Sequence, residues 1–232
     1  MKGVSEKTKP ILEAVSKLEC IRSYTLVGGT ALALQLGTRE SEDLDFMSWR
    51  LNKEEKREVN WPQIKKELEL IGPIEKYELL DLDHIEFVVG GVKISFYANP
   101  NYSPLEHTVA FLNNIKLADP VSIGAMKMEV MLRRSKFRDY YDIYSILQAG
   151  YSINEMIDKA LKYSGHRLKT KNLLSLLTRG ERFEPDEAFR TLKPIYTVTS
   201  KEIEEAIKTA LKARDTFSLE GEKWGSVNAG NC

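Results

Sequence analysis

Gly28-Gly29-Thr30 follows a short apolar run, Tyr24-Thr25-Leu26-Val27, and opens a stretch of strong helix formers, Ala31-Leu32-Ala33-Leu34-Gln35-Leu36, that stops at Gly37. This order of strand, glycine turn and helix constrains the chain most, because glycines let backbone approach a ligand closely. The N–H groups of a helix start carry partial positive charge and suit a phosphate, and the Thr30 hydroxyl can add a donor. Further on, Asp43-Leu44-Asp45-Phe46-Met47 alternates polar and apolar side chains, which marks a strand with one polar face. Residues two apart on a strand point the same way, so Asp43 and Asp45 can together hold Mg²⁺. Such ions bridge nucleotide phosphates and offset charge during an in-line displacement. Taken singly, a Gly-Gly pair reads as a turn and Asp-x-Asp as a solvated strand; their succession points to a phosphate and metal site.

The remaining chain divides by composition near Asp119. Before it, apolar positions Ile11, Leu12, Val15 and Leu18 predict a helix ending near Cys20. A charged helical region runs from Lys53 to Leu70, broken or restarted at Trp61-Pro62. Three strands follow, Ile74–Leu80, His84–Val89 and Val92–Ala98, with Gly90-Gly91 as a hairpin turn between the last two. One more short strand is predicted at Ile115–Leu117. After it the pattern is helical: Asp119 caps a helix with Pro120 at its first position, running to about Arg134. Further helices are predicted over Arg138–Leu147, Ile153–Tyr163, Lys169–Leu177 and Ser200–Thr216. The expected organisation is an α/β lobe over 1–118, a helical lobe over 119–220 and a loose polar tail over 221–232.

Those motifs resemble a known family. Strand, Gly-Gly-Thr, helix, then Asp-x-Asp on a strand is similar to nucleotidyltransferases related to DNA polymerase β. The run from Gly28 to Phe46, with Gly37-Thr38-Arg39-Glu40-Ser41 between its two halves, resembles the first motif of the AbiEii/AbiGii-type nucleotidyltransferase toxins. Asp119-Pro120, Lys127 and Arg138-Asp139-Tyr140-Tyr141-Asp142-Ile143-Tyr144 resemble later motifs of that family. The resemblance implies an α+β fold: a polymerase-β-like lobe, with a mixed or antiparallel sheet flanked by helices, followed by a C-terminal helical lobe. It implies that Gly28, Gly29, Thr30 and Ser41 bind the nucleotide, that Asp43 and Asp45 hold Mg²⁺ or Mn²⁺, and that Lys127 faces the triphosphate. An NTP is the implied donor, an RNA such as tRNA the implied acceptor, a cognate antitoxin the implied partner and phage defence the implied role.

The residues themselves leave some roles open. Lys127 lies on a largely apolar helix and either snorkels to solvent or aims at an anion. Asp139 and Asp142 share a helix face; one can act as a base or support, while Asp142 can also pair with Arg138 at i,i+4 spacing. The place where polymerase-β-like enzymes carry a third carboxylate is Ser95, which cannot ionise near neutral pH. Glu86, Asp139 or Asp142 can substitute; otherwise the chain binds nucleotide or a partner without transferring anything. His84, His107 and His166 lack metal-site spacing, and Tyr140, Tyr141 and Tyr144 read as packing residues. The basic run Arg133–Arg138 lies between the helices that carry the candidate site and can meet an RNA backbone or a triphosphate.

Composition narrows what remains. Thirty-four basic against 34 acidic side chains in 232 residues exclude a uniformly basic nucleic-acid coat. Two cysteines cannot build a zinc cluster or a disulfide framework, so metal chemistry must use oxygen ligands. The absence of a long apolar run and of a signal-like start predicts a cytoplasmic protein with no membrane contact.

Overall fold

The computed structural model describes residues 1–50, 52–54, 58–165, 167–183 and 187–225, without the side chains of 213–225. After α1 (Thr8–Val15), strand β1 (Thr25–Val27) leads directly into α2 (Gly28–Leu36), and β2 (Leu44–Trp49) follows. Then come α3 (Trp61–Leu68), β3 (Ile74–Asp81), β4 (His84–Val89), β5 (Val92–Asn99), β6 (Thr108–Leu112) and β7 (Ile115–Ala118). The remainder is helical: α4 (Pro120–Val130), α5 (Phe137–Gln148), α6 (Ile153–Tyr163), α7 (Thr170–Leu177), a 3₁₀ turn, the short α8 (Glu187–Arg190) and α9 (Ser200–Gly225).

All seven strands form one sheet in the order β3-β4-β5-β2-β1-β7-β6. The β2/β5 and β1/β7 pairs are parallel and the others antiparallel, so the sheet is mixed. Its register sorts side chains into two faces. Phe46 pairs with Phe96, which pairs with Ile85, and one row away Leu44, Ile94 and Phe87 align. These six side chains are buried on one face, where Phe46 stacks on Phe96 at 5.2 Å and Tyr24 and Phe87 meet Phe96 edge-on. The pleat sends the alternate rows to the other face: Asp45, Ser95 and Glu86, then Met47, Tyr97 and His84.

The helices start where the sequence places caps. The Asp119 side chain accepts the Ser122 N–H at 2.9 Å, and Pro120 occupies the first helical position, where a missing N–H costs nothing. Helix α4 packs on α2, α5 and α6, and α9 packs on α5 and α6, which joins the helical half to the sheet in one continuous core from Val4 to Ile207. The three tyrosines of α5 are packing residues, as their spacing predicts. Tyr140 stacks on Phe183 and donates to the Leu177 carbonyl, Tyr141 donates to the Thr38 carbonyl, and Tyr144 meets Tyr196 edge-on.

Several elements differ from their sequence reading. The first helix, expected to end near Cys20, ends at Val15. The single strand expected at Ile115–Leu117 is the second half of a hairpin, with β6 before it and Asn113 at φ +48° in the turn. Strand β6 escapes a hydrophobic reading because it is an exposed edge with Val109 and Phe111 open to solvent. Helix α4 ends at Val130 rather than Arg134, and α9 continues past Thr216 to Gly225; residues 226–232 of the expected tail lie outside those described. Of the charged helical region expected from Lys53, residues 55–57 are likewise outside them, Lys53, Glu54 and residues 58–60 are turn or irregular, and helix begins only at Trp61.

Candidate active site

Strand pairing brings the glycine turn and the acidic pair together. Val27 is paired with Asp45 across β1 and β2, so the next residue, Gly28, lies against the Asp45 side chain. Gly28 has φ +69°, and a Cβ there would stand 2.9 Å from Asp45 Oδ2. A Cβ on Gly29 would stand 2.6 Å from Arg39 Nη2 and 3.0 Å from Ser41 Oγ. Both glycines are therefore fixed by close approach to site residues. They form the first turn of α2 itself, rather than a loop ahead of it.

Asp43 sits just before β2 and Asp45 within it. Burial pushes the Asp45 carboxyl above its ordinary range; Lys93 offsets this, Asp43 adds to it, and Lys127 and the Ser95 hydroxyl offset it further. The donor set fits a hard dication. Mg²⁺ uses one or two carboxylates and takes its remaining oxygens from phosphate and water, and Gly28 leaves the Asp45 carboxylate uncovered. Among the described residues no group of three His, Cys, Asp or Glu side chains converges on a metal position, so an ion held by this pair would take its other ligands from substrate and solvent.

Behind the acidic pair lies a buried chain of charges. Asp142 receives Arg39 through two hydrogen bonds, Nε to Oδ1 at 2.7 Å and Nη2 to Oδ2 at 2.8 Å. Lys127 Nζ bridges Asp142 Oδ2 at 2.9 Å and Asp139 Oδ1 at 2.7 Å, and Arg134 closes on Asp139 at 2.9 and 3.1 Å. Burial opposes the charged form of Asp139, yet Lys127 and Arg134 outweigh it and hold the carboxyl at about 2. Burial likewise opposes Asp142, whose carboxyl Arg39 and Lys127 hold below its ordinary range. Lys127 is raised in turn, because Asp139 and Asp142 outweigh its burial.

Two cavities share Gly29, Asp45, Lys93, Lys127 and Arg134 as lining. The smaller, of about 250 Å³, is lined by Gly29, Ser41, Glu42, Asp43, Asp45 and Leu192 and by six cations: Arg39, Lys93, Lys127, Arg134, Lys136 and Arg138. The other, of about 490 Å³, has the polar face of β2, β5 and β4 as its floor and Ile123, Met126, Lys127 and Val130 of α4 as one wall. Arg133 and Arg167 also border it.

Most sequence-predicted site residues converge. Gly28, Gly29, Ser41, Asp43, Asp45 and Lys127 all line these cavities, and Arg134, Lys136 and Arg138 of the basic run do too. Thr30 is different: it is buried, with its hydroxyl against Ser41 Oγ at 2.9 Å and the Asp43 carbonyl, so it braces the chain entering β2 instead of reaching a phosphate. Asp139 and Asp142 stand behind Lys127 with their oxygens occupied by cations, and Asp142 pairs with Arg39 and Lys127 rather than with Arg138. His84 lines the larger cleft, His107 lies away from it and His166 is outside the described residues. Sequence reading missed two side chains that line the small cavity. Arg39 stood inside the quoted motif without a role, and Lys93, two residues before Ser95 on the same strand, follows from period two alone.

A mixed sheet that sets a glycine-started helix beside an acidic pair, under a helical roof of cations, defines the nucleotidyltransferase class of enzyme. Residues 11–215 match the model of a family described as nucleotidyl transferase AbiEii toxin, type IV toxin–antitoxin system. The chain belongs to that family. It is 24% identical over 216 residues to an uncharacterized protein, aq_aa25, of Aquifex aeolicus (strain VF5), covering 91% of this chain and 98% of the relative. Two solved structures share the fold, each at 16% identity and a TM-score of 0.54. One is JHP933 from Helicobacter pylori, with 95% of this chain and 99% of that one covered. The other is MenT4, the nucleotidyltransferase toxin Rv2826c from Mycobacterium tuberculosis H37Rv, with 89% and 84% covered. No helix among the described residues is long and apolar enough to cross a membrane.

Proposed function

We propose that this toxin transfers a nucleoside monophosphate from an NTP to a hydroxyl of an RNA, with tRNA as the leading acceptor, in a reaction that depends on Mg²⁺ or Mn²⁺. One observation carries the reading: a small cavity in which Asp43, Asp45 and the start of α2 share their walls with six cations, the third acid there, Glu42, being paired with Lys7. That mixture suits a metal-bound triphosphate, since metal needs carboxylates and the phosphate oxygens need N–H donors and positive charge. Asp43 and Asp45 would hold the ion, which supplies charge neutralisation on the transferring phosphoryl group. The open backbone at Gly28 and Gly29 lets the phosphates approach the start of α2. Arg134, Lys136, Arg138 and Lys93 surround the charge that develops on the leaving pyrophosphate. Lys127 serves two roles, binding phosphate on its cavity side while Asp139 and Asp142 fix its position. The larger cleft, with Arg133 and Arg167 at its border, receives the acceptor strand.

The type IV toxin–antitoxin description of the family supports a cognate antitoxin as partner; phage defence as the role and the cytoplasm as the place of action are part of the same proposal. The test is incubation of the protein with each α-labelled NTP, Mg²⁺ and total tRNA. Label should pass to RNA with one NTP preferred; label appearing on protein instead of RNA would reject the RNA acceptor while keeping the chemistry.

A further inference from the structure

An acceptor hydroxyl must lose its proton as it attacks, and the cleft has few groups able to take one. Asp43 and Asp45 are committed to the ion under the reading above. Asp139 and Asp142 are 0% and 1% exposed, with both oxygens of each carboxylate held by cations, and a carboxyl held at about 2 is a poor proton acceptor. Glu129 is bound to Arg133 one helical turn away, and Glu42 lines the small cavity rather than the cleft and pairs with Lys7. His84 stands one row along the sheet from Asp45 and approaches Glu86 itself. Glu86 is the acid that shares the row of Asp45.

Glu86 is placed for the task by register. It is paired with Ser95 across β4 and β5, and Ser95 is paired with Asp45 across β5 and β2, so all three project from one row into the cleft. Neighbouring strands lie about 4.8 Å apart, which puts the Glu86 and Asp45 backbones roughly 10 Å from each other. That interval leaves room for a hydroxyl between the acidic pair and the Glu86 carboxylate. The side chain is 28% exposed, and its hydrogen bonds from Lys93 Nζ at 3.4 Å and Ser95 Oγ at 3.5 Å fall on Oε1, as does the 3.7 Å approach of His84 Nε2. Glu78 faces it from β3.

We infer that Glu86 is the general base of the transfer, displaced one strand outward from Asp45, with Ser95 and Lys93 holding its inner oxygen. This rests on the nucleotidyl transfer proposed above. The acceptor O–H gives its proton to Glu86 Oε2 as its oxygen forms a bond to the α-phosphorus. The bond from that phosphorus to the bridging oxygen breaks, and pyrophosphate leaves with the electron pair. The proton on Glu86 then passes to water at the cleft mouth.

The experiment compares full-length wild type, Glu86→Gln, Glu86→Ala and Asp43→Asn in the labelled transfer assay, with NTP affinity measured by calorimetry. Glu86→Gln should lose about 100-fold or more in kcat, with NTP affinity and melting temperature unchanged. Added formate should restore at least about tenfold to Glu86→Ala and nothing to wild type, a rescue that a purely structural role would not produce. A Glu86→Gln enzyme within about threefold of wild type, or a dead Glu86→Ala that formate leaves dead, overturns the inference. If Asp43→Asn is inactive in that same result, the transfer reading stands and only the base is reassigned. Wild type that transfers no label, or Asp43→Asn as active as wild type, removes both.

Discussion

At the scale of single residues, the site depends on side chains that are absent as much as on those present. Gly29→Ala forces its Cβ into Arg39 Nη2 and Ser41 Oγ, and neither neighbour can retreat, since Arg39 is bound to Asp142 and Ser41 to Thr30. The expected cost is about 1–3 kcal/mol, read as a lower melting temperature together with weaker NTP binding. A Gly28→Ala change adds strain at φ +69°. Much of this was legible: the Gly-Gly pair, Asp43, Asp45 and Lys127 are named by motif, and the structure gathers them around the two adjoining cavities. What sequence could not supply was partner choice. Asp142 had Arg138 within reach on its own helix, yet it binds Arg39, 103 residues away, because helix packing points both side chains inward. Thr30 likewise looked like a ligand donor, and burial turned it into a brace.

Among elements, the rows of the sheet carry the most information. Phe46, Phe96 and Ile85 bury one face so strongly that register cannot slip, since a one-residue shift would exchange every core side chain with a polar one. Asp45, Ser95 and Glu86 are aligned by the same constraint. The strands of this region were readable because their hairpin carries Gly90-Gly91, both at positive φ, whereas the β6–β7 hairpin has only Asn113-Asn114 and an exposed edge to announce it. Between helices, α4 and α5 are joined to the loop before β2 through Lys127, Asp139, Asp142 and Arg39. Asp142→Ala should cost about 3–5 kcal/mol in a denaturant melt, because Arg39 is left buried without its carboxylate and Lys127 keeps only Asp139. Asp139 gives this network a pH signature. Its lowered carboxyl contributes on the order of 2 kcal/mol, fully present above the ordinary carboxylate value near ~4 and lost as pH falls towards about 2. The stability gap between wild type and Asp139→Asn should therefore close over that acid window.

Over the whole molecule, a formal charge of zero conceals a separation of sign. Cations are concentrated around the small cavity and at the border of the cleft, so the RNA acceptor proposed above would be recognised by a local patch. Arg167→Ala, at the border of the larger cleft, should weaken RNA binding about threefold to tenfold and flatten its salt dependence, with little change in fold. The division near Asp119 separates sheet from helices in sequence, and we propose that lobes 1–118 and 119–220 act as two halves of one cleft. Because the core is continuous and the charged network spans both halves, heating should give a single cooperative transition. The central claim is that the Asp43 and Asp45 pair drives nucleotidyl transfer. Its most direct measurement is label transfer from an α-labelled NTP to tRNA by wild type and by Asp45→Asn, with melting temperatures recorded alongside. Transfer by wild type and its loss in an equally stable Asp45→Asn protein is the predicted result; equal transfer by both would contradict the account.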